Sequence, residues 1–378
     1  MDFNFTPDQL ALKKMAQEVV AKEITPYALE MDHNGKMRPG LLEKLDEAGL
    51  VGLVVPEEFD GPGLDAVTIA LIYEELGKGC AGVATSVAAN ALASYPVILM
   101  GTDAQKKHYF DIINSGKLAA FALTEPGAGS DAGAVATTAV KDGDDHYILN
   151  GTKCFITNGG IADVFVIFAN ARKSAGIRGL TAFIVDRGTP GFSVGKEEEK
   201  MGIRASNTCE LILDNVRIPT TNRLGREGEG FKIAMKTLDA ARPLVGAVSV
   251  GIAQAAFDAA VKYSKEREQF GKPIASFQLV QAMLADMAIA VETARLLVYK
   301  ACWLKDQNLP FAKEAAMAKC YAADVAMKVT TDAVQVLGGY GYIKEYPTEK
   351  YMRDAKIMQI YEGTNQIQRL VIANQILY

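Results

Sequence analysis

The sequence predicts an α+β protein in three parts. These are an N-terminal α-helical domain over 1–117, a central β-barrel or sandwich domain over 118–227, and a C-terminal four-helix-bundle domain over 228–378. Three observations predict it. Apolar residues recur at helical spacing in the first third. Near residue 118 the texture changes to short, apolar, often β-branched runs separated by turn clusters. From Gly228 the chain returns to long segments with their charges on one face. A length of 378 residues suits two or three domains of ordinary size.

Thr6-Pro7-Asp8-Gln9 reads as a capping box with proline at the first helical position, and Leu12, Met15, Val19 and Val20 follow at helical spacing. Glu74 and Glu75 lie in a further helical run that Gly77 and Gly79 are expected to end. Residues 79–102 carry no charge and are long enough to cross a bilayer. Yet they hold Thr85, Ser86, Asn90, Ser94 and Pro96 and are rich in Ala and Gly, so a helix inside the protein is expected and no membrane span. The β part is expected at 121–123, 147–149, 164–168, 180–185 and 211–213, with turns at 141–145 and 158–160. No long helix intervenes, which favours a barrel or sandwich over a parallel α/β sheet. Helical runs at 242–267, 278–305, 311–337 and 365–378 suit a bundle.

Forty basic residues against 45 acidic leave a net charge of −5, so there is no basic excess to neutralise nucleic-acid phosphates. Three histidines and five scattered cysteines, without a C-x-x-C, exclude the usual metal spacings and suit buried thiols in a reducing compartment; no metal is expected. The N-terminus has no basic region followed by an apolar run, so no signal peptide is expected. The compartment read from this is the cytoplasm, or an organelle matrix if a leader has been removed.

Gly127 to Ala132 matches G-x-G-x-x-A, but strand and hairpin rather than a helix follow it, so a nicotinamide-dinucleotide fold fails on context. The run TEPGAGSD at 124–131 is either a tight turn or a strand leaving its sheet as a loop of exposed N–H groups and hydroxyls. Glu362 lies between an apolar run and Gly363. It is a solvated loop carboxylate or, if desolvated, a base strong enough for a carbon-bound proton. Gly338-Gly339 is a helix cap or a place of close backbone approach to a ligand. Arg267 to Lys272 is a solvated helix end or a diphosphate clamp.

Taken together, TEPGAGSD at 124–131, FITNGG at 155–160, EREQFGKPI at 266–274, QVLGGYGY at 335–342 and MRDAKIMQIYEGTNQIQRL at 352–370 resemble the acyl-CoA dehydrogenase family of flavoproteins, across essentially the whole chain. The resemblance implies FAD as cofactor, an acyl-CoA substrate, electron-transferring flavoprotein as partner and a homotetramer built as a dimer of dimers. It implies that Phe121, Leu123, Thr124, Gly129 and Ser130 line the isoalloxazine and the substrate carbonyl, and that Phe155, Ile156 and Thr157 pack on the flavin. Many relatives have tryptophan where Phe155 stands. Arg267, Gln269, Phe270, Gln278, Gln335, Val336, Gly338 and Gly339 would hold the diphosphate and adenosine of a neighbouring subunit's FAD, with Thr364 and Gln366 also touching FAD. Asp239 and Arg242 match CoA contacts, and Ser130, Tyr361 and Gly363 fall beside the substrate.

Glu362 matches the family's usual catalytic base. The isovaleryl and long-chain branches carry the base beside the arginine matching Arg242, where this chain has Ala241. The implied reaction is α,β-dehydrogenation of an acyl-CoA to its trans-2-enoyl-CoA, as in fatty-acid metabolism. Ser94 and Tyr95 fall where the family sets chain length, and Tyr95 is expected to shorten the cavity for short- to medium-chain or compact acyl groups. Branched, cyclic or aromatic acyl groups and the reverse, enoyl-CoA reductase direction stay open at this point. Acyl-CoA oxidases share the fold but are usually longer, and full retention of the motifs disfavours a non-redox relative. Leu64 is a candidate docking residue for the partner, or a leucine tucked into its own domain.

Overall fold

The structure, a computed structural model, describes residues 4–378. Its N-terminal part holds α1 (Pro7–Val19), α2 (Ala28–Asn34), α3 (Leu41–Glu47), α4 (Ala66–Gly79), α5 (Ala81–Met100) and α6 (Asp103–Asn114). The expected capping box opens α1: Thr6 Oγ1 accepts from the Gln9 N–H at 3.2 Å, and Gln9 Oε1 accepts from the Thr6 N–H at 3.0 Å.

The expected helix end at Gly77 is not found: this glycine lies inside α4, and Gly79 is the last residue of that helix. The reason is tertiary. A Cβ on Gly77 would sit 2.6 Å from the Val248 carbonyl oxygen, and one on Gly251 would sit 2.1 Å from that of Glu74. The two glycines let α4 cross α7 (Gly230–Glu266) backbone against backbone.

The middle part is a mixed eight-stranded sheet: β1 (Ala119–Ala122), β2 (Thr138–Asp142), β3 (His146–Thr157), β4 (Val164–Asn170), β5 (Leu180–Asp186), β6 (Phe192–Glu197), β7 (Thr208–Pro219) and β8 (Arg223–Leu224). Its order is β6-β7-β3-β2-β4-β5-β8, with β1 pairing parallel to β4. The link between β2 and β4 is the single pair Thr138–Asn170, so the sheet folds into two leaves. The leaves face each other: Tyr147 of β3 meets Phe183 of β5 at 5.1 Å between ring centroids. Strand β4 is buried on both sides, which explains its unbroken apolar run. Phe165, Ile167 and Ala169 join the core between the leaves, whereas Val164, Val166 and Phe168 join a second core with α5, α6 and the start of α7.

After α7 come the short hairpin β9 (Glu268–Gln269) and β10 (Lys272–Pro273), then α8 (Gln278–Asp306), α9 (Ala312–Leu337), α10 (Gly339–Tyr342), α11 (Thr348–Met358) and α12 (Asn365–Leu377). Helices α7, α8 and α9 pack on one another; α11 and α12 lie on α9, and α4 lies along α7 and α8, so both helical parts share one core. Helices α5 and α7 are long and apolar enough to cross a membrane, but each is 72% buried within the fold over its apolar stretch. All five cysteines are buried and unpaired.

Candidate active site

A cleft of about 350 Å³ opens where the loop after β1, the end of β3, α5, α7 and the turn before α12 converge. Strand β3 carries a bulge between Lys153 and Ile156, and Phe155 sits there with φ 57°. The bulge buries Lys153 and Ile156 and throws the Phe155 ring, 65% exposed, against the cleft. The TEPGAGSD loop is fixed from below. Glu125 accepts from the N–H groups of Ala136 (2.7 Å) and Thr137 (3.0 Å) and from Lys153 Nζ (2.7 Å), and Lys153 also donates to the Leu123 carbonyl at 3.1 Å. This leaves Thr124, Gly129 and Ser130 facing the cleft. A Cβ on Gly129 would meet no protein atom within 4 Å, so its close backbone surface serves nothing in the fold itself.

On the other side stands Glu362. Its backbone is left-handed (φ 53°) and that of Gly363 likewise (φ 89°), which turns the chain sharply before Thr364 caps α12. Part of the residue's surface opens to the cleft, but Oε2 is fully shielded and has no hydrogen-bond partner. That desolvation pushes the carboxyl up to about 7, against the opposing pull of the Lys319 and Arg242 charges. Arg242 is buried and donates to Asp239 Oδ1 at 2.6 Å. Ala241 is buried beside it, and the other carboxylate lining the cleft, Asp131, lies exposed at the rim.

The structure therefore brings together Phe121, Leu123, Thr124, Gly129, Ser130, Phe155, Ile156, Thr157, Arg242, Tyr361, Glu362 and Gly363 around one cleft. The remaining expected residues lie elsewhere. Arg267, Gln269, Val336, Gly338 and Gly339 line a separate open cavity of about 470 Å³; Gly338 caps α9 with φ 62°, and a Cβ on either glycine would meet nothing within 4 Å. Phe270 stands 92% exposed, and Gln278 starts α8 on the surface. Gln335, Thr364 and Gln366 line neither cavity. Asp239 and Tyr95 line a third cavity, of about 1030 Å³, where Lys305 Nζ donates to the Tyr95 hydroxyl at 2.9 Å. Ser94 is buried, its hydroxyl donating to the Asn90 carbonyl at 2.8 Å. Leu64 is half-buried against the main core and lines that third cavity. Among the described residues no three His, Cys, Asp or Glu side chains are grouped to hold a metal.

Sequence reasoning missed the α7 face made by Phe231, Met235 and Leu238, and missed Lys319 and Gln368 behind the Glu362 turn. Lys319 had a signal. It interrupts an alanine-rich helix at the register of buried Ala315, Ala316, Ala322 and Ala323.

Models of the N-terminal, middle and C-terminal domains of acyl-CoA dehydrogenases match residues 6–117, 120–216 and 228–377. The chain belongs to the acyl-CoA dehydrogenase family. It is similar to butyryl-CoA dehydrogenase from Megasphaera elsdenii, with 48% identity and a TM-score of 0.98 over all of both chains. It is similar to a chain solved in structural work on the electron transferring flavoprotein of Acidaminococcus fermentans, with 52% identity and a TM-score of 0.97 over all of both. It is also 48% identical to acryloyl-CoA reductase (NADH) of Anaerotignum propionicum, covering all of this chain and 96% of that one.

As an acyl-CoA dehydrogenase family member the chain is an oxidoreductase acting on acyl-CoA, and its cofactor is FAD. The residues present fit that group. The cleft offers an aromatic wall, hydroxyls and a glycine surface that no protein atom covers, and the 470 Å³ cavity offers a cation beside two uncovered glycines.

Proposed function

We propose that this acyl-CoA dehydrogenase family member desaturates a short acyl-CoA thioester at the α and β carbons, with Glu362 as the base that takes the α-proton. One observation carries the reading: a carboxylate that lines the cleft on a left-handed turn, with its Oε2 shielded and without a hydrogen-bond partner. An α-C–H is a weak acid, so the base must be basic near working pH, and desolvation to about 7 provides that. Bound FAD supplies the chemistry of accepting the β-hydrogen as hydride, so the proton on Glu362 and the hydride together account for the new C=C bond.

The chain's own residues do the rest. Phe121, Leu123, Phe155 and Ile156 keep the cleft apolar, which excludes water and keeps Glu362 basic. Thr124, Ser130 and Thr157 supply hydroxyls at its wall, and Arg242 supplies a cation for the CoA part. The Glu362 N–H is the donor assigned to the thioester oxygen, where enolate charge develops. Arg267, Gln269, Phe270, Gln278, Gln335, Val336, Gly338 and Gly339 are assigned to the distal half of FAD from a neighbouring copy of the chain in a tetramer. Phe270 and Leu279, 92% and 83% exposed, support that assignment. Thr364 and Gln366 are assigned to FAD as well. Short acyl groups are favoured by the Megasphaera likeness. Tyr95, with its hydroxyl bonded to Lys305, lines the third cavity rather than the cleft and adds no support from the geometry. Electron-transferring flavoprotein is the assigned electron acceptor, supported by the Acidaminococcus likeness, with Leu64 as a docking candidate.

The deciding experiment is anaerobic titration of the FAD-loaded protein with thioesters from C4 to C12. Bleaching of the flavin absorbance that is fastest at the short end is expected; a peak at C10 or beyond overturns the short-chain reading, and no bleaching by any thioester overturns the whole. The likeness to acryloyl-CoA reductase favours a second reading, in which the same residues work in the enoyl-CoA reductase direction. Faster turnover of enoyl-CoA with a reduced acceptor than of acyl-CoA with an oxidised one establishes it.

A further inference from the structure

The Glu362 turn places two consecutive residues in the left-handed region, and one of them is not glycine. Such a turn persists only where its surroundings over-determine it. Two side chains do so. Gln368 Nε2, from α12, donates to the Glu362 carbonyl (3.2 Å) and the Gly363 carbonyl (2.9 Å). Lys319 Nζ, from α9, donates to the Gly363 carbonyl (2.7 Å) and to Asn365 Oδ1 (3.1 Å). Lys319 is 0% exposed among alanines, a costly place for an ammonium. Its two oxygen partners are uncharged and would be satisfied by a neutral donor. What a neutral donor would not supply is charge, and Lys319 shares the surroundings of Glu362 with Arg242 from α7, Tyr73 from α4 and Tyr361 from its own turn.

We propose that Lys319 is the positioning residue of the base: it locks the Glu362–Gly363 turn so that the carboxylate faces the cleft, and it confronts that carboxylate with a positive charge. The inference rests on Glu362 being the base. It assigns Lys319 no contact with substrate; the residue acts through the Gly363 carbonyl and through its field.

Lys319→Met removes donor and charge, and Lys319→Gln keeps a donor without the charge. Two readouts serve: the pH dependence of kcat, and exchange of the α-proton of a non-oxidisable acyl-CoA thioester in D2O, which needs the base but no hydride transfer. In Lys319→Met, kcat falls by about 10- to 100-fold, as for the loss of a supporting group behind a site, while KM changes by less than about threefold. The acid limb of both pH profiles moves up by roughly one pH unit, because the base has lost an opposing charge. Lys319→Gln shows the same movement of the limb with a smaller loss of kcat. A folded Lys319→Met with the parental kcat and an unmoved acid limb overturns the proposal. If Lys319→Met does not fold, an unmoved limb in Lys319→Gln overturns it. Glu362→Gln separates the two levels: activity in that variant overturns the base assignment itself, whereas an inactive Glu362→Gln beside an unmoved Lys319 variant overturns only the role of Lys319.

Discussion

Two glutamate–lysine neighbourhoods in the same fold shift their carboxyls in opposite directions. Glu125 and Lys153 are both buried, with Nζ 2.7 Å from Oε1 and the Thr137 hydroxyl and two backbone N–H groups on the same carboxylate. There the Glu125 carboxyl is held below its ordinary value by the Lys153 charge and these donors, which outweigh burial. Glu362 has a buried lysine in its surroundings too, but that ammonium spends its hydrogen bonds on Gly363 and Asn365, and Oε2 is left bare. Burial then outweighs charge and the carboxyl rises to about 7. Both lysines are themselves pushed down to about 8 by desolvation. Residue type is the same in the two places; what separates a structural carboxylate from a reactive one is whether donors reach its oxygens.

The comparison breaks first at Glu362. Glu362→Gln is expected to lower turnover by about a thousandfold with the fold intact, as for loss of a general base; stopped-flow reduction by a short acyl-CoA measures it. Glu125→Ala is expected to act on stability instead. It strands a buried ammonium and costs about 3–5 kcal/mol, read as a lowered thermal midpoint.

The third test uses the opposite signs. A carboxyl raised from 4.5 to about 7 makes the folded state favour the protonated form. Its contribution is therefore fully present below pH 4.5 and is lost as pH rises through 7, amounting to up to about 3 kcal/mol. Glu362→Gln escapes that loss, so it should be more stable than the parent by about 1–3 kcal/mol at pH 8.5 and equal to it near pH 4. Glu125, held low, contributes at neutral pH and loses its contribution as pH falls through its native value. Melting curves from pH 8.5 down well below pH 4 check both directions, Glu125 in the acid part, and a Glu362→Gln no more stable than the parent at pH 8.5 would contradict the desolvated base. The smallest effect is expected where solvent screens the pair. Lys107→Ala, which removes the exposed i,i+4 partner of Asp111 at 3.1 Å, should cost less than about 0.5 kcal/mol.

Much of this was legible in the residue order. The capping box at Thr6, the β texture from 118 and the helical return after 228 are local signals, and local signals survive folding unchanged. The uncharged run at 79–102 proved to be α5, buried and lining the cleft with Thr85, Ala88, Ala89 and Leu92. Gly77 misled, because a glycine that breaks an isolated helix is tolerated where a second helix needs its missing Cβ. The Phe155 bulge was not legible either. Whether an aromatic residue in a strand points into the core or out to a cleft is decided by the partner strand's register, which no local pattern carries.

The sequence by itself determined the three-part architecture, the family, and that a glutamate at 362 precedes a glycine before the last helix. Those follow from periodicity and from motifs whose order along the chain is their information. Only the tertiary structure decided that Glu362 is desolvated, that Lys319 braces its turn rather than bonding its carboxylate, and that Glu125 is neutralised by Lys153. Each of those depends on residues 28 to 44 positions apart meeting within hydrogen-bond distance or failing to, and desolvation is a property of the volume around a group, not of its neighbours in the chain.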